Sequence, residues 1–186
     1  MKRTGLADQP CSIARTLDVA GEWWSPLILR NVAYGIRRFG EIQADLGISA
    51  NVLADRLEGL VREGLLETRP YQSRPERREY ILSEMGADLL PALLALMQWG
   101  DRWKWDGGRG PVEVMHHDCG HDVRVEVRCE HCERELALTD LRARARPGVT
   151  EAPSGDMPGR LSAARLTSSA EGVRLAQEQA GSSPPS

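Results

Sequence analysis

The stretch "FGEIQADLGISANVLADRLEGLVREG", Phe39 to Gly64, decides the fold. Phe39, Ile42 and Leu46 recur at the spacing of a short amphipathic helix, and Gly47 stops it. Ser49 offers an N-cap to a second helix, because its hydroxyl can accept from an otherwise orphaned backbone N–H. Leu53, Leu57, Leu60 and Val61 fall on one face of that helix, and Gly64 ends it. Two short helices joined by a tight glycine-containing turn predict a helix–turn–helix.

On the C-terminal side, "LLETRPY" and "RREYILS" are β-prone runs joined by Gln72, Ser73, Arg74, Pro75 and Glu76, the pattern of a hairpin. On the N-terminal side, "CSIARTLDVAGEWWSPLILRNVA" places Ile13, Leu17, Ala20, Trp24, Leu27 and Ile28 at helical spacing. Gly21 and Pro26 interrupt it, so two short helices or one bent helix both fit. After the hairpin, Ser83 caps a Leu-rich helix expected over "EMGADLLPALLALMQWGDRW". Its Leu89, Leu90, Leu93, Leu94, Leu96 and Met97 cover more than one face, and the surplus predicts packing on a second copy.

The expected class is mainly α (α+β). A winged helix–turn–helix domain with a β-hairpin wing occupies 1–105, and "DGGRGP" over 106–111 reads as a linker. A small β module follows over 112–146, where Val112, Val114, Val123, Val125 and Val127 alternate with polar residues as in short strands. The tail, 147–186, is rich in Gly, Pro, Ser and Ala and reads as disordered.

The 186 residues carry a net charge of −3, which by itself argues against a nucleic-acid binder. The distribution says otherwise. Residues 1–110 hold fifteen basic and fifteen acidic residues, and Arg69, Arg74, Arg77 and Arg78 crowd a stretch whose only acid is Glu76. Screening within about 10 Å hides distant acids, so such a patch can still bind phosphates.

A helix about 10–12 Å across fits the major groove of DNA. With Leu53, Leu57 and Leu60 turned inward, the second helix leaves Ser49, Asn51, Ala54, Asp55 and Arg56 for the groove. Asn51 can pair bidentately with adenine, and Ser49 can bond phosphate or base. Asp55 and Glu58 would repel phosphates, which places the contacts in the first turn. Arg37 and Arg38 at the bracing helix, and Arg74, Arg77 and Arg78 on the wing, are candidate phosphate clamps. The competing reading of each arginine is a solvated, ion-paired surface.

These residues resemble the HxlR-type winged-helix transcriptional regulators, relatives of the MarR group. The resemblance runs from about Cys11 to Trp103. It rests on "GEWWSPLILRNVAYGIRRFGEIQADLGISANVLADRLEGLVREGLLE", on "RPYQSRPERREYILSEMG" and on "LLPALLALMQWGDRW". It implies a cytoplasmic homodimer at the bacterial nucleoid, with the N-terminal and Leu-rich helices at the interface. Each protomer would place a recognition helix in one half of a pseudo-palindromic site on double-stranded DNA. Repression is the favoured mode, with a small-molecule or thiol-reactive effector. Cys11 stands where many such regulators carry a cysteine, and a helix N-terminus favours the thiolate. A half-buried small hydrophobe is the alternative reading of Cys11.

The second cluster is "HHDCGHDVRVEVRCEHC", His116 to Cys132, with three of the four cysteines and all four histidines. No export signal or apolar run of membrane-spanning length is evident, so metal or redox chemistry is expected ahead of a structural disulfide. H-x-x-C-G and C-x-x-C, nine residues apart, have the spacing of a zinc ribbon in which two knuckles each give two ligands. Cys119, Cys129 and Cys132 are three ligands of the expected structural Zn2+. His116 suits the fourth place best, with His117 and His121 as alternatives. Gly120 lets the first knuckle turn tightly, and Glu133 stands where a second Gly is expected.

Catalysis fits poorly. A zinc deaminase needs H-x-E and P-C-x-x-C, and neither is present. A thioredoxin-type pair needs a strand before C-x-x-C and a helix after it, whereas strands are expected on both sides here. No phosphate loop, nucleophile elbow or paired-carboxylate motif occurs elsewhere. The alternatives are a ribbon that has lost its metal, and a zinc or dithiol redox protein whose winged helix mediates protein contacts.

Overall fold

Two helices, not one bent helix, fill the N-terminal block: α1 (Ser12–Ala20) and α2 (Trp24–Ala33). Gly21 closes α1, its N–H donating to the Leu17 carbonyl. Pro26 lies in the first turn of α2, where its missing N–H would have had no helical partner in any case. The computed structural model describes residues 6–143, so the tail read as disordered lies outside the described residues. The chain divides into two compact units, the first ending at Val125 and the second beginning at Glu126.

In the first unit, α3 (Phe39–Leu46) and α4 (Ala50–Arg62) form the expected helix–turn–helix. Gly47 makes the turn at φ 63°, a left-handed conformation that a Cβ would penalise. Ser49 caps α4 by accepting from the Val52 N–H at 3.4 Å. β1 (Leu66–Ser73) and β2 (Glu76–Leu82) pair antiparallel from Leu66↔Leu82 to Ser73↔Glu76, with an irregularity between Pro70 and Gln72.

The core is the set of side chains that these elements bury together. Ile28, Leu29 and Val32 of α2 meet Ile42 of α3, Leu53, Leu57 and Leu60 of α4, Leu65 just before β1 and Leu66 at its start. Each fully buried side chain of this size contributes about 1.5–3 kcal/mol of transfer free energy. The Leu53/Leu57/Leu60 ridge is thus fixed inward, which fixes what α4 leaves outside.

The single Leu-rich helix expected after Ser83 is two helices, α5 (Glu84–Asp88) and α6 (Leu90–Lys104). Pro91 is the cause: it has no N–H to return to Ala87, and its ring opposes a continuous helix there. Ser83 caps α5 by accepting from Gly86 N–H at 3.0 Å, and donates to the Gly64 carbonyl. No residue of α6 is fully buried; Leu96, Trp99 and Trp103 are 62%, 55% and 62% exposed.

The stretch expected to be a linker carries a short 3-10 turn, Asp106–Gly108. The strands expected beyond it reduce to isolated bridges, Met115↔Asp122 in the first unit and Arg128↔Glu135 in the second. The division between units falls after Val125, not in the linker. Gln98 of α6 explains this: its amide donates to the Val123 carbonyl at 2.8 Å and accepts from Val125 N–H at 3.0 Å.

Candidate nucleic-acid interface and the Cys/His knuckles

Helix α4 presents two sides with different fates. Leu53 and Leu57 are 0% exposed and Leu60 is 2% exposed, whereas Ser49, Asn51, Ala54 and Asp55 all face solvent. Arg56 follows Leu53 by three residues and therefore lies on the flank of the buried ridge. It is half-buried and ion-paired with Glu22 at 3.7 Å, not free for a groove.

The wing arginines separate into braced and free. Arg69 donates to Glu79 at 2.6 Å across the hairpin. This hydrogen bond is the main reason the Glu79 carboxyl is held below its ordinary value. Arg78 donates to Glu76 at 2.8 Å, to the Thr68 hydroxyl at 3.0 Å and to the Thr68 carbonyl at 3.2 Å. Arg74 and Arg77 are exposed, and among the described residues their guanidinium groups have no hydrogen-bond or ion-pair partner. The wing therefore points two uncommitted cations outward on a frame stiffened by two others.

At the entry to α3, Arg38 lies over the Tyr71 ring, 4.3 Å from its centroid, and pairs with Glu41 at 3.5 Å. The Glu41 carboxylate also accepts from the Arg38 backbone N–H at 3.3 Å. Arg37 is half-buried; its carbonyl accepts from Tyr80 N–H at 2.8 Å, which sets this segment against β2. Its Nε is buried without a hydrogen-bond partner among the described residues.

A network the sequence reading missed sets the two helices against α2. Asn31 is 1% exposed and donates to Asp45 of α3 at 2.8 Å, while Arg30 donates to the Asn31 side-chain oxygen at 2.6 Å and to Asp45 at 3.2 Å. A lone amide on the apolar face of "LILRNVA", three residues after Ile28, was the available signal. Buried polar groups need partners, so an inward Asn implies one across the interface.

Cys11 is the N-cap residue of α1, half-buried, with no side-chain capping bond. The other cysteines sit in two tight turns. In the first unit, His116 N–H donates to the His121 carbonyl at 2.8 Å and Gly120 N–H to the His116 carbonyl at 2.8 Å. The His116 Nδ1 lies 3.2 Å from the Cys119 sulfur. His117 points away; its ring is 99% exposed and its Nδ1 meets Asp118 at 2.9 Å. In the second unit, Cys129 N–H donates to the Arg134 carbonyl at 3.1 Å and Glu133 N–H to the Cys129 carbonyl at 2.9 Å. The Cys132 thiol is pulled down to about 7, first by the Arg134 backbone N–H, then by the Arg134 side chain and the Cys129 thiol. Among the described residues, no three His, Cys, Asp or Glu side chains converge as metal ligands.

Comparison with known proteins agrees with the helix–turn–helix geometry. The sequence model of a family described as HxlR-like helix-turn-helix matches residues 19–106. An uncharacterised HTH-type transcriptional regulator of Mycobacterium tuberculosis, Rv3095, is 41% identical over 137 residues, covering 74% of this chain and 87% of the relative. Among solved structures, PA1607, a candidate transcription factor, is similar at a TM-score of 0.70 and 36% identity, over 77% of this chain and all of its own. PA1374, a candidate transcription factor of Pseudomonas aeruginosa, is similar at a TM-score of 0.54 and 38% identity, over 81% of this chain.

Proposed function

The chain belongs to the HxlR-like helix-turn-helix family, a family of transcriptional regulators and not of enzymes, and on that premise we propose that it is a cytoplasmic homodimeric repressor. Each protomer places the first turn of α4 in the major groove of one half of a pseudo-palindromic site. The observation that carries this reading is the two-sidedness of α4, whose leucine ridge is fully buried while Ser49 and Asn51 stand exposed at its N-terminus. Asn51 reads adenine, Ser49 bonds phosphate or base, and Arg74 and Arg77 hold the neighbouring backbone from the wing. Arg38 remains a phosphate candidate, held over Tyr71. Arg37, Arg56 and Arg78 act mainly as braces, since each is half-buried or already engaged.

Dimerisation is supported by the exposed apolar stripe of Leu96, Trp99 and Trp103 on α6, together with Ile13 and Leu17 on α1. A stripe of this kind on a water-facing helix is the usual mark of a partner surface. An effector has a candidate place in a cleft of about 450 Å³ lined by Arg30, Asn31, Tyr34, Met97 and Trp105. Its polar wall is the same network that orients α3, so occupancy there would bear on the recognition helix. Cys11 at the start of α1 is the candidate sensor thiol; an unchanged response of Cys11→Ser to a thiol-reactive compound would remove it from the mechanism.

The deciding experiment is binding of the purified chain to its own upstream region in the presence of competitor DNA at several salt concentrations. Sequence-selective affinity that falls with salt is expected. Equal affinity for unrelated duplexes at all salt concentrations would sink the regulator reading and leave the winged helix as a protein-contact module.

A further inference from the structure

The cleft of about 450 Å³ that Arg30, Asn31 and Trp105 line has in its wall a carboxylate that nothing in the described chain satisfies. Asp101, on α6, is half-buried and among the described residues has no hydrogen-bond or ion-pair partner. The cations beside it on the helix are turned to aromatic rings: Arg102 lies 5.0 Å from the centroid of Trp103, and Lys104 lies 5.5 Å from that of Trp99. The Asp101 carboxylate rests against Gly110, where any Cβ would collide with it, so backbone closes one side of the group without supplying a donor. A half-buried charge without a partner is a cost that a ligand of opposite charge relieves.

The rest of the wall is mostly apolar. Ile36 and Val112 join Tyr34, Met97 and Trp105, and the Tyr34 hydroxyl donates to the Met97 sulfur at 3.7 Å. Tyr34 and Trp105 are 47% and 53% exposed, so both rings keep surface for a ligand. The one cation among the lining residues, Arg30, is committed. Its Nε and one Nη donate to the Asn31 side-chain oxygen at 3.0 and 2.6 Å, and the same Nη donates to Asp45 at 3.2 Å. Against this one cation stand two carboxylates, Asp45 and Asp101, which leaves the wall one negative charge in excess. An anion would meet Asp101 and find Arg30 already taken, whereas a cation finds a carboxylate beside two aromatic rings. All these residues belong to the first unit, and the volume lies within the range of about 300–1,000 Å³ usual for small-molecule sites.

We propose that the cleft binds a small arylalkyl ammonium ion, its charge on the Asp101 carboxylate and its apolar body against Tyr34, Met97 and Trp105. The assignment rests on the reading of the cleft as an effector site and names the class of effector. Asp101 supplies a charge-assisted hydrogen bond, and the rings supply cation–π attraction and apolar contact. Asp45 lines the same cleft, so a bound cation acts on the Arg30–Asp45 pair that sets α3 against α2.

The test is calorimetric titration of the full chain, without DNA, with three probes of one shape at neutral pH: phenethylammonium, phenylacetamide and phenylacetate. Saturation by phenethylammonium at one per chain is expected, with affinity about 10-fold or more above the neutral amide and with phenylacetate weakest. Asp101→Asn should abolish the preference for the cation, and Trp105→Leu, at an exposed position, should weaken binding by about 2–5-fold. Trp23→Ala removes an exposed tryptophan outside the cleft and should titrate like the parent. No saturable binding of phenethylammonium, a preference for phenylacetate, or an unchanged preference in both Asp101→Asn and Trp105→Leu overturns the proposal. Because DNA is absent from this titration, its failure leaves selective DNA binding untouched. Binding through Asp101 that leaves DNA affinity unchanged would uphold the site and remove its role as an effector cleft.

Discussion

The division of the wing arginines into free and braced gives a quantitative expectation for DNA binding. Arg74 and Arg77 are exposed with no partner for their guanidinium groups among the described residues, whereas Arg69 is held by Glu79 at 2.6 Å and Arg78 by Glu76 at 2.8 Å. A free guanidinium can take a phosphate without breaking anything; a braced one must first give up its carboxylate. In a homodimer, Arg74→Ala/Arg77→Ala therefore removes up to four phosphate contacts. Each contact contributes about 0.9 to the slope of log K against log salt, so the slope should flatten by about 3.6. Between about 50 and about 200 mM salt, the wild-type loses ~150-fold more affinity than the variant. Fluorescence anisotropy with the upstream duplex across a salt series measures both slopes. Arg69→Ala and Arg78→Ala should change the slope clearly less, while lowering the melting temperature of the wing-bearing domain. An unchanged slope in the Arg74/Arg77 variant, or an equal change in the Arg69 and Arg78 variants, refutes the reasoning.

Three further outcomes follow from the same geometry. Asn51→Ala should cost about 1–3 kcal/mol per half-site against the specific duplex and nothing against random DNA, measured by competition binding; equal losses on both would show that Asn51 does not read bases. Gly86→Ala sets a Cβ against the Leu65 carbonyl and should destabilise by about 1–3 kcal/mol in thermal or denaturant unfolding, whereas a Cβ at Gly59 meets only the Arg62 guanidinium at 3.8 Å, so Gly59→Ala should stabilise by about 0.5–1 kcal/mol. An unchanged midpoint for Gly86→Ala would mean that the α5 contact yields freely. Leu96→Glu/Trp99→Glu should shift the protein from dimer to folded monomer by light scattering; a persistent dimer would place the interface elsewhere.

The sequence by itself determined the winged helix. Period-3.6 leucines, Gly47 between two helices, Ser49 and Ser83 as caps, and a basic tip between β-prone runs are local signals, each set by backbone chemistry within a few residues. The C-x-x-C and H-x-x-C spacings were equally legible, because both are local patterns. The division of the Leu-rich stretch was readable in principle from Pro91, but the length of the apolar run outweighed one residue. Tertiary structure alone decided which arginines are free. Arg74 and Arg78 look alike in sequence, and only the register that sets Thr68 opposite Tyr80 and Pro70 opposite Arg78 brings Thr68 within reach of Arg78. It also decided that Asn31 clasps Asp45, that Gln98 holds the backbone of Val123 and Val125, and that Glu133 repeats the turn of Gly120. Those facts depend on partners distant along the chain or on a backbone dihedral, and neither is encoded in the spacing of residue types.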